Sequence, residues 1–124
     1  MLNEYRIGDS RELLKQVDSE SVDLIYVDPP YCTGRDFYHF DDKFKSSSDY
    51  RELLIRPLLL ECHRVLSDVG NIVVHVEPKV SHHIRIVLDD IFGENRFKNE
   101  IVWVSGGNHK SKKQLQRHHD SIIV

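Results

Sequence analysis

Residues 23–31, Asp-Leu-Ile-Tyr-Val-Asp-Pro-Pro-Tyr, constrain the fold more than any other stretch of the chain. Leu24 to Val27 form a short apolar, partly β-branched run, the pattern of a strand covered on both faces in a parallel sheet. Pro29 and Pro30 must end its ladder, because neither donates a backbone N–H and each holds φ at its ring value. Pro30 also drives Pro29 into the extended region. The outcome is a carboxylate, carbonyl oxygens with few competing donors and an aromatic ring, all at the carboxyl end of a strand. In open α/β sheets, ligands bind at that edge.

The flanking segments supply the rest of a layered α/β domain. Tyr5 to Asp9 predicts a short strand and Ser10 an N-cap, followed by a short helix with a Leu13/Leu14/Val17 stripe. With the Leu24–Val27 strand these make a βαβ unit. Residues 32–42 mix aromatic and acidic side chains without a period and predict a loop, read as a flap beside the strand end. Ser46 to Asp49 offer caps for a helix to about Leu66, its buried face drawn from Leu53, Leu54, Leu58, Leu59, Leu60, Val65 and Leu66. Pro57 should kink that helix or begin a second segment. Residues 67–71 read as a stop and turn, and Ile72–Val76 as the next buried strand. A helix from about Lys79 to Phe92 turns Ile84, Val87, Leu88 and Ile91 inward and ends at Gly93. Ile101–Val104 and Ser121–Val124 predict an antiparallel pair at one sheet edge. Strands alternating with helices argue a doubly wound sheet, mostly parallel with that antiparallel edge pair.

At 124 residues the chain fits one domain, and 40% hydrophobic with 30% charged content is that of a globular protein. No apolar run reaches bilayer-spanning length, and Met1 to Glu4 begin no signal peptide. Cys32 and Cys62 form no disulfide framework, which points to a reducing cytoplasm. Net charge is −3, which excludes an indiscriminate nucleic-acid binder. The charge is uneven: residues 101–124 hold Lys110, Lys112, Lys113 and Arg117 against Asp120, +3, leaving −6 for the first hundred residues. A basic tail on an acidic body suits a local phosphate contact, and a solvated loop explains it equally well. No Gly-x-Gly-x-x-Gly follows a strand, so the usual cradle for a nucleotide-like cofactor is missing.

The chemistry offered by Asp28 to Tyr31 is specific. An exocyclic amine on a nucleobase is a poor nucleophile because its lone pair is delocalised into the ring. Accepting hydrogen bonds from both of its N–H groups localises that pair and stabilises the positive charge that develops on nitrogen. Asp28 can supply one acceptor and the Pro29 carbonyl a second. Tyr31 offers a face for a stacked base, which a duplex must extrude before it can reach such a pocket.

Asp28-Pro29-Pro30-Tyr31 resembles the signature of amino-group methyltransferases that use S-adenosylmethionine (AdoMet). The order of Ile7–Ser10, Tyr31–Gly34, Leu66–Val74, Ile91–Phe97, Asn99–Trp103 and His119–Val124 around it is similar to that of the permuted (β-class) DNA adenine-N6 methyltransferases. The likeness is strongest to the modification subunits of type III restriction systems, and it runs over nearly the whole chain. It implies a Rossmann-like methyltransferase sheet in permuted order. It further implies methyl transfer from AdoMet to adenine N6 in double-stranded DNA with the adenine flipped out, within a restriction–modification system and with a restriction subunit or a second copy as partner. Asp28, Pro29 and Tyr31 would hold the adenine, Pro30 would set the turn, and Asp28 would lie near the methionine end of AdoMet. Asp9 matches the acidic position that approaches the adenosine. Asp rather than Ser at position 28 favours adenine over cytosine, and Cys32 stands where the family usually has Asn. The family's target-recognition region and Phe-x-Gly-x-Gly cofactor loop have no counterpart here. Residues 1–124 are therefore expected to be a partial catalytic domain that binds AdoMet poorly by itself.

Competing readings remain open at this point. The acceptor could be cytosine N4, an RNA base or an amide nitrogen, or the chain could be a non-catalytic remnant or a subunit completed by a second polypeptide. The proline pair lacks the spacer of the common polyproline ligand. Asp9 could simply cap a helix. The adjacent pairs His82-His83 and His118-His119 do not face one site, and neither cysteine sits at zinc spacing, so solvated histidines are expected rather than a metal site. Trp103 and its flanking valines are expected in the core.

Overall fold

The computed structural model describes residues 3–32, 34, 36–37, 40–41, 44–106 and 118–124. In chain order the elements are α1 (Ser10–Leu14), β1 (Val22–Val27), β2 (Asp36–Phe37), β3 (Phe40–Asp41), α2 (Ser47–Tyr50), a π-helical turn (Arg51–Ile55), α3 (Arg56–Val65), β4 (Leu66–Val76), α4 (Pro78–Phe92), a 3₁₀ turn (Glu94–Arg96), β5 (Glu100–Val104) and β6 (His119–Ile123). The main sheet runs β1-β4-β6-β5, and β2 pairs with β3 in a small hairpin. β1 and β4 are parallel, while β6 is antiparallel to both β4 and β5. The α/β class and the antiparallel edge pair therefore hold. The sheet is more mixed than the sequence predicts, because β6 joins β4 directly.

Period-two alternation sorts the strand residues onto two faces. Val74 and Val76 of β4 and Ile123 of β6 point into one core with Tyr50, Ile55 and Leu59 and with Val80, Ile84, Val87 and Leu88 of α4. Each fully buried side chain of this size stabilises the fold by about 1.5–3 kcal/mol. The opposite face is open. Leu24 and Tyr26 are 64% and 57% exposed, so β1 is not covered on both sides as its apolar run suggests. Ile101, Val102, Trp103 and Val104 are exposed as well, because β5 is an edge strand. The expectation of a buried Trp103 is thereby corrected.

Three local differences have clear causes. Tyr5 to Asp9 is not a strand: Tyr5 and Ile7 are each 86% exposed and pair with nothing in the sheet. Without it, the expected βαβ unit does not form. Asp9, rather than Ser10, caps α1 by accepting from the Arg11 N–H. Residues 67–71 are no turn but the middle of β4. Between the pairs Val22↔Leu66 and Leu24↔Asn71, β1 advances two residues and β4 five, so three residues bulge out of register. Gly70 permits this crossing: a Cβ there would lie 2.7 Å from Leu66 Cδ1 and 3.0 Å from the Val22 carbonyl oxygen.

Pro57 acts as the sequence suggests, near the start of a second segment. The backbone before it widens into the π turn, where the Arg56 N–H reaches the Arg51 carbonyl. Proline has no N–H to offer the carbonyl four residues back, that of Leu53. The Arg11 guanidinium donates to it instead at 2.8 Å. The turn leaves Leu53 and Leu60 exposed and Ile55, Leu58, Leu59 and Val65 buried, which trims the predicted apolar face. Among the described residues no helix is long and apolar enough to cross a membrane.

Candidate active site

β1 delivers Asp28 to the carboxyl end of the sheet, one residue beyond its last ladder position. Asp28 is exposed, Pro29 is buried, and Pro30 and Tyr31 are half-buried. The corner is tied from below. Tyr50, fully buried where α2 meets the π turn, donates its hydroxyl to the Pro30 carbonyl at 2.6 Å. Phe44 packs edge-on against the Tyr50 ring at 5.3 Å between centroids. Cys32 follows with φ at 56°, a left-handed conformation that Asn and Gly adopt more readily than Cys. The asparagine usual in the family would suit that backbone, and this chain places a thiol there.

Within the tetrapeptide the Tyr31 hydroxyl hydrogen-bonds the Asp28 carboxylate. Burial of the ring, reinforced by that bond and by the charges of Asp28 and Asp120, pushes the Tyr31 phenol well above its ordinary value. Tyr31 therefore stays protonated and donates to Asp28. The Tyr31 ring lies 6.2 Å from the His75 imidazole, tilted at 50°. The predicted site residues Asp28, Pro29, Pro30 and Tyr31 thus form one corner at which the Asp28 side chain is exposed.

Sequence reasoning missed the cluster beside that corner. Tyr26, His75, Trp103 and Asp120 come from four strands and share the open face of the sheet. His75 Nδ1 lies 2.9 Å from the Tyr26 hydroxyl and Nε2 lies 3.0 Å from Asp120 Oδ2. A neutral imidazole with its proton on Nε2 serves both: it donates to the carboxylate and accepts from the phenol. The Trp103 ring stacks on His75 at 6.1 Å and 11°. The imidazole is only 16% exposed, against the expectation of solvated histidines. A polar ring alternating with Val74 and Val76 at the end of a buried strand is the one signal that could have flagged it.

Asp9 sits elsewhere, at the N-cap of α1. Its carboxylate pairs with Arg11, which holds it below the usual carboxylate range, and Arg11 in turn binds the Leu53 carbonyl. No described contact joins Asp9 to Asp28. His82 and His83 lie on α4 with ring centroids 4.0 Å apart, and among the described residues no cluster of His, Cys, Asp and Glu could hold a metal. Cys62 is buried, and that burial pushes its thiol up to about 11, so it is unreactive. Much of the expected flap (Thr33, Arg35, Tyr38, His39, Asp42) and the basic stretch from Lys110 to Arg117 lie outside the described residues.

A cleft of about 470 Å³ opens at the opposite end of the sheet, between the start of β4 and the end of α4. Two of its four cations are engaged within the fold: Arg64 donates to the Val17 and Leu14 carbonyls, and Arg85 lies over the Phe97 ring and pairs with Asp89. None of Asp28, Pro29, Pro30 and Tyr31 lines this cleft.

Known proteins are similar to this chain in sequence and in fold. The chain is 32% identical over 128 residues to the type II methyltransferase M.KpnI of Klebsiella pneumoniae, covering 95% of this chain and 31% of that protein. It is 24% identical to the Mod subunit of the type III restriction-modification enzyme StyLTI of Salmonella typhimurium, covering 98% of this chain and 22% of that protein. The chain thus spans a third or less of the length of these relatives. A structure described as a DNA modification methylase from Thermus thermophilus, complexed with S-adenosyl-L-methionine, superposes with a TM-score of 0.67 at 20% identity. That match covers 94% of this chain and 50% of the other, and it supports the fold. The sequence model of the N6/N4 DNA methylases matches residues 22–124, from the first residue of β1 through the proline corner to the end of the chain. With the corner, the strand order and the match over most of its length in agreement, the chain belongs to the N6/N4 DNA methylase family.

Proposed function

We propose that this chain carries the acceptor corner of an enzyme that transfers a methyl group from AdoMet to adenine N6 in double-stranded DNA, as part of a restriction–modification system. The observation that carries the reading is the exposed Asp28 carboxylate at a doubly proline-locked strand end, with the Tyr31 ring beside it. An adenine extruded from the duplex stacks on Tyr31, and its amine donates one N–H to Asp28 and the other to the Pro29 carbonyl. Tyr50 already occupies the Pro30 carbonyl, so the Pro29 oxygen is the one we assign to the amine. These acceptors draw the nitrogen lone pair out of the ring and stabilise the charge that forms as the new bond is made. AdoMet would supply the methyl group as an electrophile, its sulfur leaving with the S–C bonding pair as S-adenosylhomocysteine. The amine would return to neutrality by losing one N–H proton to solvent. Asp28 suits the cationic methionine end, because it is an exposed carboxylate at the strand terminus. Asp9 is proposed for the adenosine side, its carboxylate oriented by Arg11.

Residues 1–124 are proposed as a partial catalytic domain, in keeping with the share of the relatives' length that they span. Duplex DNA is the substrate in this reading, a restriction subunit or a second copy is the protein partner, and the compartment is the cytoplasm. Methylation-sensitive digestion of DNA from cells expressing the intact gene tests the reading. Wild type is expected to protect its sites, and Asp28→Ala to lower the rate by on the order of 10²–10³-fold, as loss of one preorganised polar group does. Undiminished methylation by Asp28→Ala rejects it. A family that spans both N6 and N4 chemistry keeps cytosine N4 as the second reading. Mass spectrometry of the reacted nucleosides separates the two, with N6-methyladenine expected.

A further inference from the structure

The open face of the sheet holds a hydrogen-bonded relay that the proposed chemistry does not use. His75 is clamped at both ring nitrogens, by the Tyr26 hydroxyl of β1 at 2.9 Å and by Asp120 Oδ2 of β6 at 3.0 Å. Trp103 of β5 covers one face of its ring in a near-parallel stack. Among the described residues, its remaining ring neighbour on this face is Tyr31, at 6.2 Å. An imidazole so restrained has no rotamer freedom left, and whatever rests against it inherits that rigidity. Tyr31 needs such support. It follows two prolines, its hydroxyl must stay on Asp28, and the next residue, Cys32, is in the left-handed region.

We propose that His75 is a positioning residue for the acceptor corner: braced by Tyr26, Asp120 and Trp103, its imidazole holds the Tyr31 ring where it can meet a base and keep its hydroxyl on Asp28. This inference rests on the methyltransferase reading above and adds a second line of residues to it. Among the described residues, the titratable groups that face the imidazole are Tyr26 from β1, Tyr31 and through it Asp28 from the corner, and Asp120 from β6. Neutral His75 satisfies its two direct partners at once, so bracing requires no change of charge during a reaction cycle. A side chain that aligns another contributes by keeping reacting atoms within a narrow range of geometries, which mutation can relax without touching substrate.

The test uses the intact protein, with rates of methyl transfer to duplex DNA measured for four variants. His75→Ala is expected to lower kcat/KM for DNA about ten-fold, with KM for AdoMet unchanged within about two-fold. Asp120→Ala should behave like His75→Ala, and the double variant should be no worse than either, because both remove one brace. Asp120→Asn keeps an oxygen that accepts from Nε2–H and should recover to within about three-fold of wild type. A readout that needs no activity comes from ¹³C-labelled tyrosine resonances. Both Asp120 variants lose a charge that itself raises the phenol, so their contrast reads the brace. The Tyr31 phenol should titrate well above the ordinary value of about 10 in wild type, stay clearly higher in Asp120→Asn than in Asp120→Ala, and fall toward that value in His75→Ala. If His75→Ala fails to fold, the two Asp120 variants decide the matter. Wild-type kcat/KM with an unmoved Tyr31 titration in Asp120→Ala, or additive losses in the double variant, overturns the proposal. A wild-type protein that methylates no DNA rejects the functional reading instead, and the Tyr31 titration still decides whether His75 braces the ring.

Discussion

Tyr50 shows how one atom can hold a functional corner. Its hydroxyl is the direct tie between the buried helical layer and the Pro30 carbonyl. Tyr50→Phe keeps the ring that packs on Phe44 and removes the hydroxyl that makes that bond. It is expected to cost about 1–2 kcal/mol in the urea unfolding free energy, the usual loss when a buried hydrogen bond is broken and its partner left behind. An unchanged midpoint would mean the corner is held by prolines alone. Asp9 is a second case. Arg11 holds its carboxyl below the ordinary range, so its cap contributes stability above pH about 4 and loses it as the pH falls through the lowered folded value. Asp9→Ala should therefore destabilise by about 1 kcal/mol near neutral pH and by much less in acid. Denaturant titrations at both pH values check this, and an equal loss in acid would exclude the cap as its source.

Elements follow local rules until another element intervenes. The Leu24–Val27 strand, the break at Pro57 and the ends of α4 are legible in sequence, because each depends on neighbouring residues only. The bulge in β4 is not. Ser67-Asp68-Val69-Gly70-Asn71 has turn chemistry, yet the chain runs through it as an irregular strand because β1 lies alongside and pairs on either side of it. Ser67 Oγ also donates to Asp23 Oδ1 across that pairing, at 3.1 Å. Gly70→Ala places a methyl against Leu66 and the Val22 carbonyl oxygen. A backbone oxygen cannot step aside as a side chain can, so a loss of about 1–3 kcal/mol is expected by thermal or urea unfolding. A neutral result would show that β1 and β4 can slide apart there without cost. The π turn is similar: a proline predicts a break, but only Arg11, more than forty residues away, explains how the freed Leu53 carbonyl is satisfied.

At the scale of the whole molecule the charge asymmetry makes its own prediction. With −6 over the first hundred residues and +3 over residues 101–124, we propose that Lys110, Lys112, Lys113 and Arg117 supply phosphate contacts to DNA. Replacing Lys112 and Lys113 by Gln in the intact protein should lower the slope of log affinity against log salt by about two, read by fluorescence anisotropy at several salt concentrations. An unchanged slope would place the phosphate contacts elsewhere. What the sequence by itself determined is the Asp28–Tyr31 corner, the helix that carries Ile84 and Val87 into the core, and the antiparallel β5–β6 edge. These follow from ring sterics, missing N–H donors and side-chain period, all written in consecutive residues. Only the tertiary structure decided that the sheet has an open face and that Tyr26, His75, Trp103 and Asp120 meet on it. Their meeting depends on the register between four strands, which the bulge in β4 and the packing of α4 set together and no local stretch encodes.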